Sequence, residues 1–453
     1  MSDPTLGEFL AQSSRGIGGG YMNRAQGPLP GYMFGPDFFK KSGSLQIADT
    51  FIATYGKKVW DALNNRTVTF NAIKKVDWGP TVGWRLRSDR GSGRSGPVSE
   101  TGTIPTIDTS AYEGIYAYPK SIASTFGVSL KAQAVSALEG GIGNQFAVEQ
   151  EATSRDHVKE INQELMAGGA YLASGGADAN HVIIGGAAAA YLLAGNFRVG
   201  DTINTTASSY AACTITAIDT ATGIITATGI NGTDGQAVAI SARNGLTSID
   251  DICMDGSSQV GGDTATHVRP AIYNKATRTT DTYLAPAQDG YNAGVGRDLT
   301  LALVDTAIQN VRQNGGEPKL IVCGLDQYDK MNQLLQTQQR FMDVSDYIVG
   351  VGDERTYPGT KAGFQLATYR GIPILPDPDC AKSLSTADVV LGSNLYVLDT
   401  DYLEIAVMYP TQYIENRDYF SATTLTLRGM FVTMMELRCL RFDVQAAVKD
   451  LNT

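Results

Sequence analysis

The chain has 453 residues, enough for two to four structural units at the usual domain size. Its 36 Lys and Arg stand against 46 Asp and Glu, a formal net charge of -10, which excludes a globally basic nucleic-acid binder. Only 18% of residues are charged and 50 are Gly, so β-structure, turns and long loops are favoured over a helical bundle.

The five cysteines, Cys213, Cys253, Cys323, Cys380 and Cys439, are odd in number, and the nearest two lie 40 positions apart. That spacing offers neither a disulfide framework nor a CxxC metal or redox motif, and the thiols read as buried groups of a reducing compartment. The opening Met-Ser-Asp-Pro-Thr-Leu-Gly-Glu lacks a basic leader followed by an apolar stretch, so no signal peptide is expected. The longest apolar run, Val182 to Gly195, has fourteen residues, short of the roughly 20 that a spanning helix needs. Charge is uneven along the chain. Residues 1 to 97 hold 13 Lys and Arg against 7 Asp and Glu, a net of +6, which leaves -16 for residues 98 to 453. A basic front of this kind is suited to lying across the acidic body of a neighbouring copy.

Taken in chain order, the first 55 residues read as an arm. Gly16, Gly18, Gly19, Gly20, Pro28, Pro30 and Pro36 deny it long helices. Yet Tyr21, Tyr32, Phe34, Phe38 and Phe39 give it too many rings for a plain linker, so it packs on something else. Residues 66 to 84 alternate as a strand pair through Val68, Phe70, Ile73, Val76, Trp78, Val82 and Trp84. From Arg85 a polar stretch of some twenty residues carries Arg85, Arg87, Arg90 and Arg94, then returns to a β pattern through Tyr112, Ile115, Tyr116 and Tyr118. This predicts an extended hairpin of the length usually kept for function. As a nucleic-acid arm it lacks rings interleaved with the arginines.

Gln145 to Gly168 predicts the clearest helix, with Val148, Ala152, Val158, Ile161 and Leu165 at helical spacing and charged residues on the other faces. No second Glu-x-x-His copy exists to make a metal bundle with His157, so a solvated or interfacial charged face is the simpler reading. Residues 196 to 243 predict a separable insert of four short strands, a small β-barrel or sandwich almost without reactive side chains. An α/β pattern follows: a helix from Leu299 to Asn314, a strand Lys319 to Cys323, a helix from Gln327 to Arg340, and a strand at Gly371 to Pro376. His157, His181 and His267 have no metal-ligand spacing, and no Ser/His/Asp set presents itself. After Asn394 the chain returns to strands, and the long run Thr424 to Val444 is suited to pairing with strands near residues 112 to 130.

The order of these parts resembles the major capsid protein of tailed double-stranded-DNA viruses, the Hong Kong 97-type fold. The strand-turn Tyr369-Arg-Gly-Ile-Pro-Ile-Leu and the closing ribbon that begins Leu427-Arg-Gly-Met-Phe-Val-Thr-Met-Met carry the likeness together with the arm, hairpin and helix. The resemblance implies an α+β protein with an N-terminal arm at 1–60, a strand pair and extended loop at 61–112, and a peripheral domain at 113–170 with the helix as its spine. It also implies an axial domain at 171–393, with the insert at 196–243 seated on it, and closing strands of the peripheral domain at 394–453. It further implies no enzymatic activity, cofactor or metal, and a shell of hexamers and pentamers around double-stranded DNA that is bound without sequence specificity. Arg85, Arg87, Arg90, Arg94, Tyr32, Phe34, Phe38 and Phe39 are then the inter-subunit contact candidates. A separate scaffolding protein, a portal protein and possible decoration proteins are the implied partners, and membrane is not among them. Residues 79 to 119 contain no Lys, so the loop lysine that cross-links some relatives is missing and no cross-linking from the loop is expected. The arm also stands where some relatives carry a long scaffolding segment that is cut away, so no maturation cut is expected. An encapsulin-like protein-cargo shell is the alternative; a surface-array protein, lacking an export signal here, and a carboxylate hydrolase, which would need a pocket with perturbed carboxylates, stand further off.

Overall fold

The computed structural model describes residues 67–79, 83–89, 98–105, 109–136, 144–168, 170–178, 180–184, 197–205, 213–219, 222–229, 237–254, 271–275, 282–292, 294–336, 344–348, 356–360, 368–384, 390–416 and 425–453. The arm with Tyr32, Phe34, Phe38 and Phe39, the loop positions Arg90 and Arg94, and His267 lie outside the described residues. The chain divides into two compact units: Met1–Ala62, Thr125–Ala152 and Glu415–Gly429 make one, and Leu63–Ser124, Thr153–Ile414 and Met430–Thr453 the other.

The front of the chain departs from the expected strand pair at 66–84. Residues Thr69–Ala72 form a single helical turn (α1), and Lys74–Asp77 (β1) pairs in parallel with Glu404–Val407. The cause is tertiary. The Thr69 hydroxyl and amide donate to Asp377 at 2.6 and 3.1 Å, and the Phe70 amide donates to Asn162 at 3.0 Å. Those bonds stabilise a turn that the alternation alone does not specify. Trp84 instead belongs to Gly83–Asp89 (β2), which pairs antiparallel with Ala111–Tyr116 (β3), so the hairpin starts within the segment expected to be loop.

Lys120–Ser129 (β4) runs into the helix Leu130–Ser136 (α2), where the Ser129 hydroxyl accepts from the Ala132 amide at 3.1 Å as a cap. In that unit Phe126 packs on Phe146 with ring centroids 5.1 Å apart. The spine helix Gln145–Met166 (α3) forms where the 3.6-residue spacing places it, and buries Ile161, Leu165 and Met166 completely. It is not a simple apolar stripe. His157, Lys159 and Asn162 are also buried: Asp377 and Asp379 accept from Asn162, Asp379 pairs with Lys159 at 2.5 Å, and His157 lies between the Ser124 and Thr433 hydroxyls.

The expected insert of four strands is a closed barrel of six. Ala170–Asp178 (β5) and His181–Ile184 (β6) join Thr202–Thr205 (β7), Cys213–Asp219 (β8), Ile224–Ala227 (β9) and Ala237–Ala242 (β10) in the order β10-β5-β6-β9-β8-β7. Antiparallel pairing of β10 with β7 closes the ring and removes the free edges a four-strand sheet would expose. Ile203, Cys213, Ile215, Ile225, Ala227 and Ile240 are buried side chains of these strands, alternating along them as the two-residue strand repeat requires. The first strand is rich in Gly and Ala, and the second, His181–Ile184, runs into the apolar stretch that begins at Val182, so neither shows a strand alternation of its own.

Beyond the short capped turn Ile249–Ile252 (α4), the helix Leu301–Gln313 (α5) turns Val304, Ala307, Ile308 and Val311 into the core, with Thr300 capping its start. Leu320–Cys323 (β11), Leu325–Gln336 (α6) and the antiparallel pair Val344–Ile348 (β12) with Thr356–Thr360 (β13) follow. Thr368–Tyr369 (β14) and Ile372–Pro376 (β15) are joined by Arg370 and Gly371, both at positive φ, 50° and 82°, the backbone a two-residue hairpin turn of this type needs. The small pair Lys382–Leu384 (β16) with Val390–Ser393 (β17) precedes Leu395–Leu398 (β18).

The tail divides between two sheets. The long strands Leu403–Asn416 (β19) and Thr426–Cys439 (β20) form the four-stranded sheet β1-β19-β20-β4, so the late ribbon does pair with the strand after residue 119. In contrast, β18 and Ala446–Val448 (β21), expected among the closing strands of a peripheral domain, complete the α/β sheet β14-β15-β11-β18-β21. Both are wholly buried, which matches uninterrupted apolar runs better than alternation. All five cysteines are buried free thiols, and burial pushes the Cys323 thiol up to about 12.

Candidate subunit-contact surface

The hairpin β2–β3 brings together what the sequence keeps 25 residues apart. Along β2 every second residue is exposed, which puts Arg85 and Arg87 on one face. In register, Gly83 faces Tyr116, Arg85 faces Gly114 and Arg87 faces Tyr112. Tyr112 is 64% exposed and Tyr116 45%, and nothing stands within 4 Å of the space a side chain at Gly114 would occupy. This face therefore carries Gly114 between two exposed tyrosines on β3, with exposed Arg85 and Arg87 opposite on β2. Tyr118, 51% exposed, extends the aromatic edge by meeting Tyr116 edge-on at 5.3 Å.

The opposite face anchors the hairpin. Ile115 is buried, and Trp84 meets Tyr273 edge-on at 5.3 Å. Tyr273 holds a positive φ of 58°, accepts from the Cys439 amide at 2.9 Å and donates its hydroxyl to the Leu437 carbonyl, fixing the hairpin root to β20. Asn274 clamps the outer strand: its side chain accepts from the Tyr116 amide at 3.0 Å and its own amide donates to the Tyr116 carbonyl at 3.2 Å. Lys275 pairs with Glu113 at 3.0 Å. The root of the surface is therefore ordered before any partner arrives, which lowers the entropic cost of association.

Of the residues expected to make contacts, Arg85 and Arg87 are brought together here. Arg90, Arg94, Tyr32, Phe34, Phe38 and Phe39 lie outside the described residues. The sequence reading missed Tyr112, Tyr116, Gly114 and the anchor at Tyr273–Asn274. It also took the arginines to lack aromatic neighbours, because the rings come from the opposite strand. The alternation at 111–116 was the available signal.

Two buried polar clusters among the described residues tie elements of the fold together. His157 sits between the Ser124 hydroxyl at 2.8 Å from Nδ1 and the Thr433 hydroxyl at 2.7 Å from Nε2, and burial lowers its pKa. It is fully buried, and its second partner is a hydroxyl where a catalytic triad places a carboxylate. Asp250 pairs with Lys449 at 2.7 Å in the core and accepts from the Tyr396 hydroxyl at 2.7 Å. Among the described residues no group of His, Cys, Asp or Glu is arranged to hold a metal ion, and no helix is long and apolar enough to cross a membrane.

Comparison with known proteins gives the same direction. The model of the SU10 major capsid protein family matches residues 54–429. No curated relative matches the sequence. Among solved structures, the capsid asymmetric unit of cyanophage A-1(L) is similar over 88% of this chain and 97% of that one, with 15% identity and a TM-score of 0.52. The capsid of a native GTA particle gives 11% identity over 87% and 93% with a TM-score of 0.42. A phage G structure of major capsid and decoration proteins gives 10% identity over 88% and 95% with a TM-score of 0.41. The cyanophage likeness, spanning nearly both chains, shows the α+β Hong Kong 97-type capsid fold. The chain belongs to the SU10 major capsid protein family, structural proteins of the icosahedral virion shell of tailed phages.

Proposed function

We propose that this capsid protein assembles through hexamers and pentamers of one chain into a shell around a double-stranded DNA genome, with the Arg85/Arg87/Tyr112/Tyr116 face as an inter-subunit contact. The observation that carries the contact is the face itself: two exposed guanidinium groups beside two exposed rings on a strand pair whose root is fixed. Guanidinium groups take acidic partners and rings take flat apolar ones, and the -16 carried by residues 98 to 453 supplies acidic surface on a neighbouring copy. Arg90, Arg94, Tyr32, Phe34, Phe38 and Phe39 extend that contact in the same reading, with the arm at 1–60 and the loop at 61–112 lying over neighbours. The peripheral segments 113–170 and 394–453 and the axial segment 171–393 complete the assignment, with β18 and β21 grouped with 171–393 in this reading because β18 pairs with β11 and β21 with β18.

An acidic body suits a lining that does not adhere to packaged phosphate, so the DNA is enclosed without sequence-specific binding. A separate scaffolding protein and a portal protein are the partners expected during assembly, and a decoration protein is a further candidate on the outer surface. The family match favours this genome shell over an encapsulin-like cargo shell. The test is the mass distribution of the purified full chain by light scattering, with negative-stain microscopy of the same sample. Capsomers of five or six copies, or closed shells, support the proposal. A monodisperse monomer unchanged at high concentration and with a scaffolding protein added counts against it.

A further inference from the structure

Beyond the shell itself, the point where the barrel returns to its host is unusual. Between β10 and α4 the backbone amides of Asn244, Leu246, Thr247 and Ser248 each donate to a different carboxylate. Asn244 donates to Asp201 at 2.6 Å, Leu246 to Glu164 at 2.9 Å, Thr247 to Glu436 at 2.9 Å and Ser248 to Asp251 at 3.3 Å. These acceptors come from four places: the turn before β7, the spine helix, β20 and α4. Lys120 donates to the Arg243 carbonyl at 2.8 Å, and the Arg243 side chain bridges Asp251 and the Gly168 carbonyl, the latter at 2.6 Å. Gly245 is in the middle because a Cβ there would lie 2.7 Å from the Glu164 carboxylate. A small cavity lined by Glu164, Ala167, Arg198, Asp201, Arg243, Gly245 and Leu246 lies against this linker.

We propose that residues 243–248 are a pH-responsive mount, holding the inserted barrel tightest in acid and loosening as the solution becomes neutral. Glu436 is the central group: its side chain is buried, and it accepts the Thr247 amide and the Leu437 amide at 3.0 Å through one oxygen, Oε1, so a proton on the other oxygen leaves both bonds intact. Burial raises its pKa to about 7, against which the Thr247 amide, the charge of Lys120 on β4, the Thr247 hydroxyl and the Leu437 amide act. Burial also raises Glu164 and Asp201, each opposed by a backbone hydrogen bond from this linker and by Arg243. The remaining charged groups along the linker are Asp251 on α4, Arg243, and Arg198, which pairs with Glu160 at 2.6 Å.

The sign follows from the direction of the shift. A carboxyl group that prefers its proton in the closed mount contributes fully below the ordinary carboxylate range, and loses that contribution as pH rises through about 7. Over that window the opening constant of the linker rises by roughly a hundredfold from Glu436 alone.

Hydrogen exchange by mass spectrometry on the assembled full chain, corrected for the intrinsic pH dependence of exchange, tests this between about pH 5 and about pH 7.5. Wild type is expected to show at least about a tenfold rise in the opening constant of peptide 244–248, and Glu436→Gln to abolish most of that rise. A flat wild-type profile, or the same rise in Glu436→Gln, overturns the proposal. If that variant does not assemble, the wild-type profile is compared with β9. A rise confined to the linker supports the mount, and a rise shared equally with β9 overturns it. The shell reading is judged separately, by the particle mass.

Discussion

Two buried positions show how much of this fold rests on single side chains. Lys449 and Asp250 are wholly inside the second unit, and neither charge has water to fall back on. Lys449→Ala leaves Asp250 charged and buried, so a loss of about 3–5 kcal/mol in chemical denaturation is expected. The double variant Lys449→Met with Asp250→Asn is expected to cost less than the single one, since Asn still accepts from the Tyr396 hydroxyl. Gly290 is constrained by space. At a φ of 72° with a Cβ that would fall 2.2 Å from the Ala447 carbonyl oxygen, Gly290→Ala is expected to cost on the order of 3 kcal/mol or more. An unchanged denaturation midpoint in either single variant would show that the local backbone relaxes more freely than this packing allows.

At the level of elements, the hairpin separates stability from assembly. Arg85 and Arg87 are exposed, so replacing both by Ala is expected to change unfolding free energy by no more than about 0.5 kcal/mol. The same double variant is expected to lower the yield of closed particles, most at low ionic strength where charge attraction is least screened. Sedimentation of assembly reactions across a salt series reads this, and an identical yield at every salt concentration would remove the arginines from the contact. The anchor behaves in the opposite way. Trp84 and Tyr273 are partly buried and pack against the core, so truncating either ring is expected to disturb folding before it disturbs assembly.

For the whole molecule, the barrel gives a prediction on which the sequence reading and the structure disagree. Deleting only residues 196–243 strips four strands from a closed ring and leaves β5 and β6 with open edges, so insoluble protein is expected. Joining Gly168 directly to Arg243 removes the whole ring between two points already linked by a 2.6 Å hydrogen bond, and is expected to give more soluble chain. Soluble yield of the two deletions decides between a four-strand and a six-strand unit. Repeating patterns made much of the architecture legible: the spine helix, α5 and β11 fall close to where periodicity places them, and the β14–β15 turn falls at the Arg-Gly pair. These are short-range rules, written in neighbouring residues. What escaped depends on partners distant in sequence: α1, held by Asp377, the first two barrel strands, and the transfer of β18 and β21 to the α/β sheet. The contact face is divided in the same way. Composition and charge by themselves determined that the chain has a basic front and an acidic remainder. Only the tertiary structure decided that Tyr112 and Tyr116 stand beside Arg85 and Arg87, because strand register is set by the packing of Trp84 and Ile115 into the core and not by any local preference.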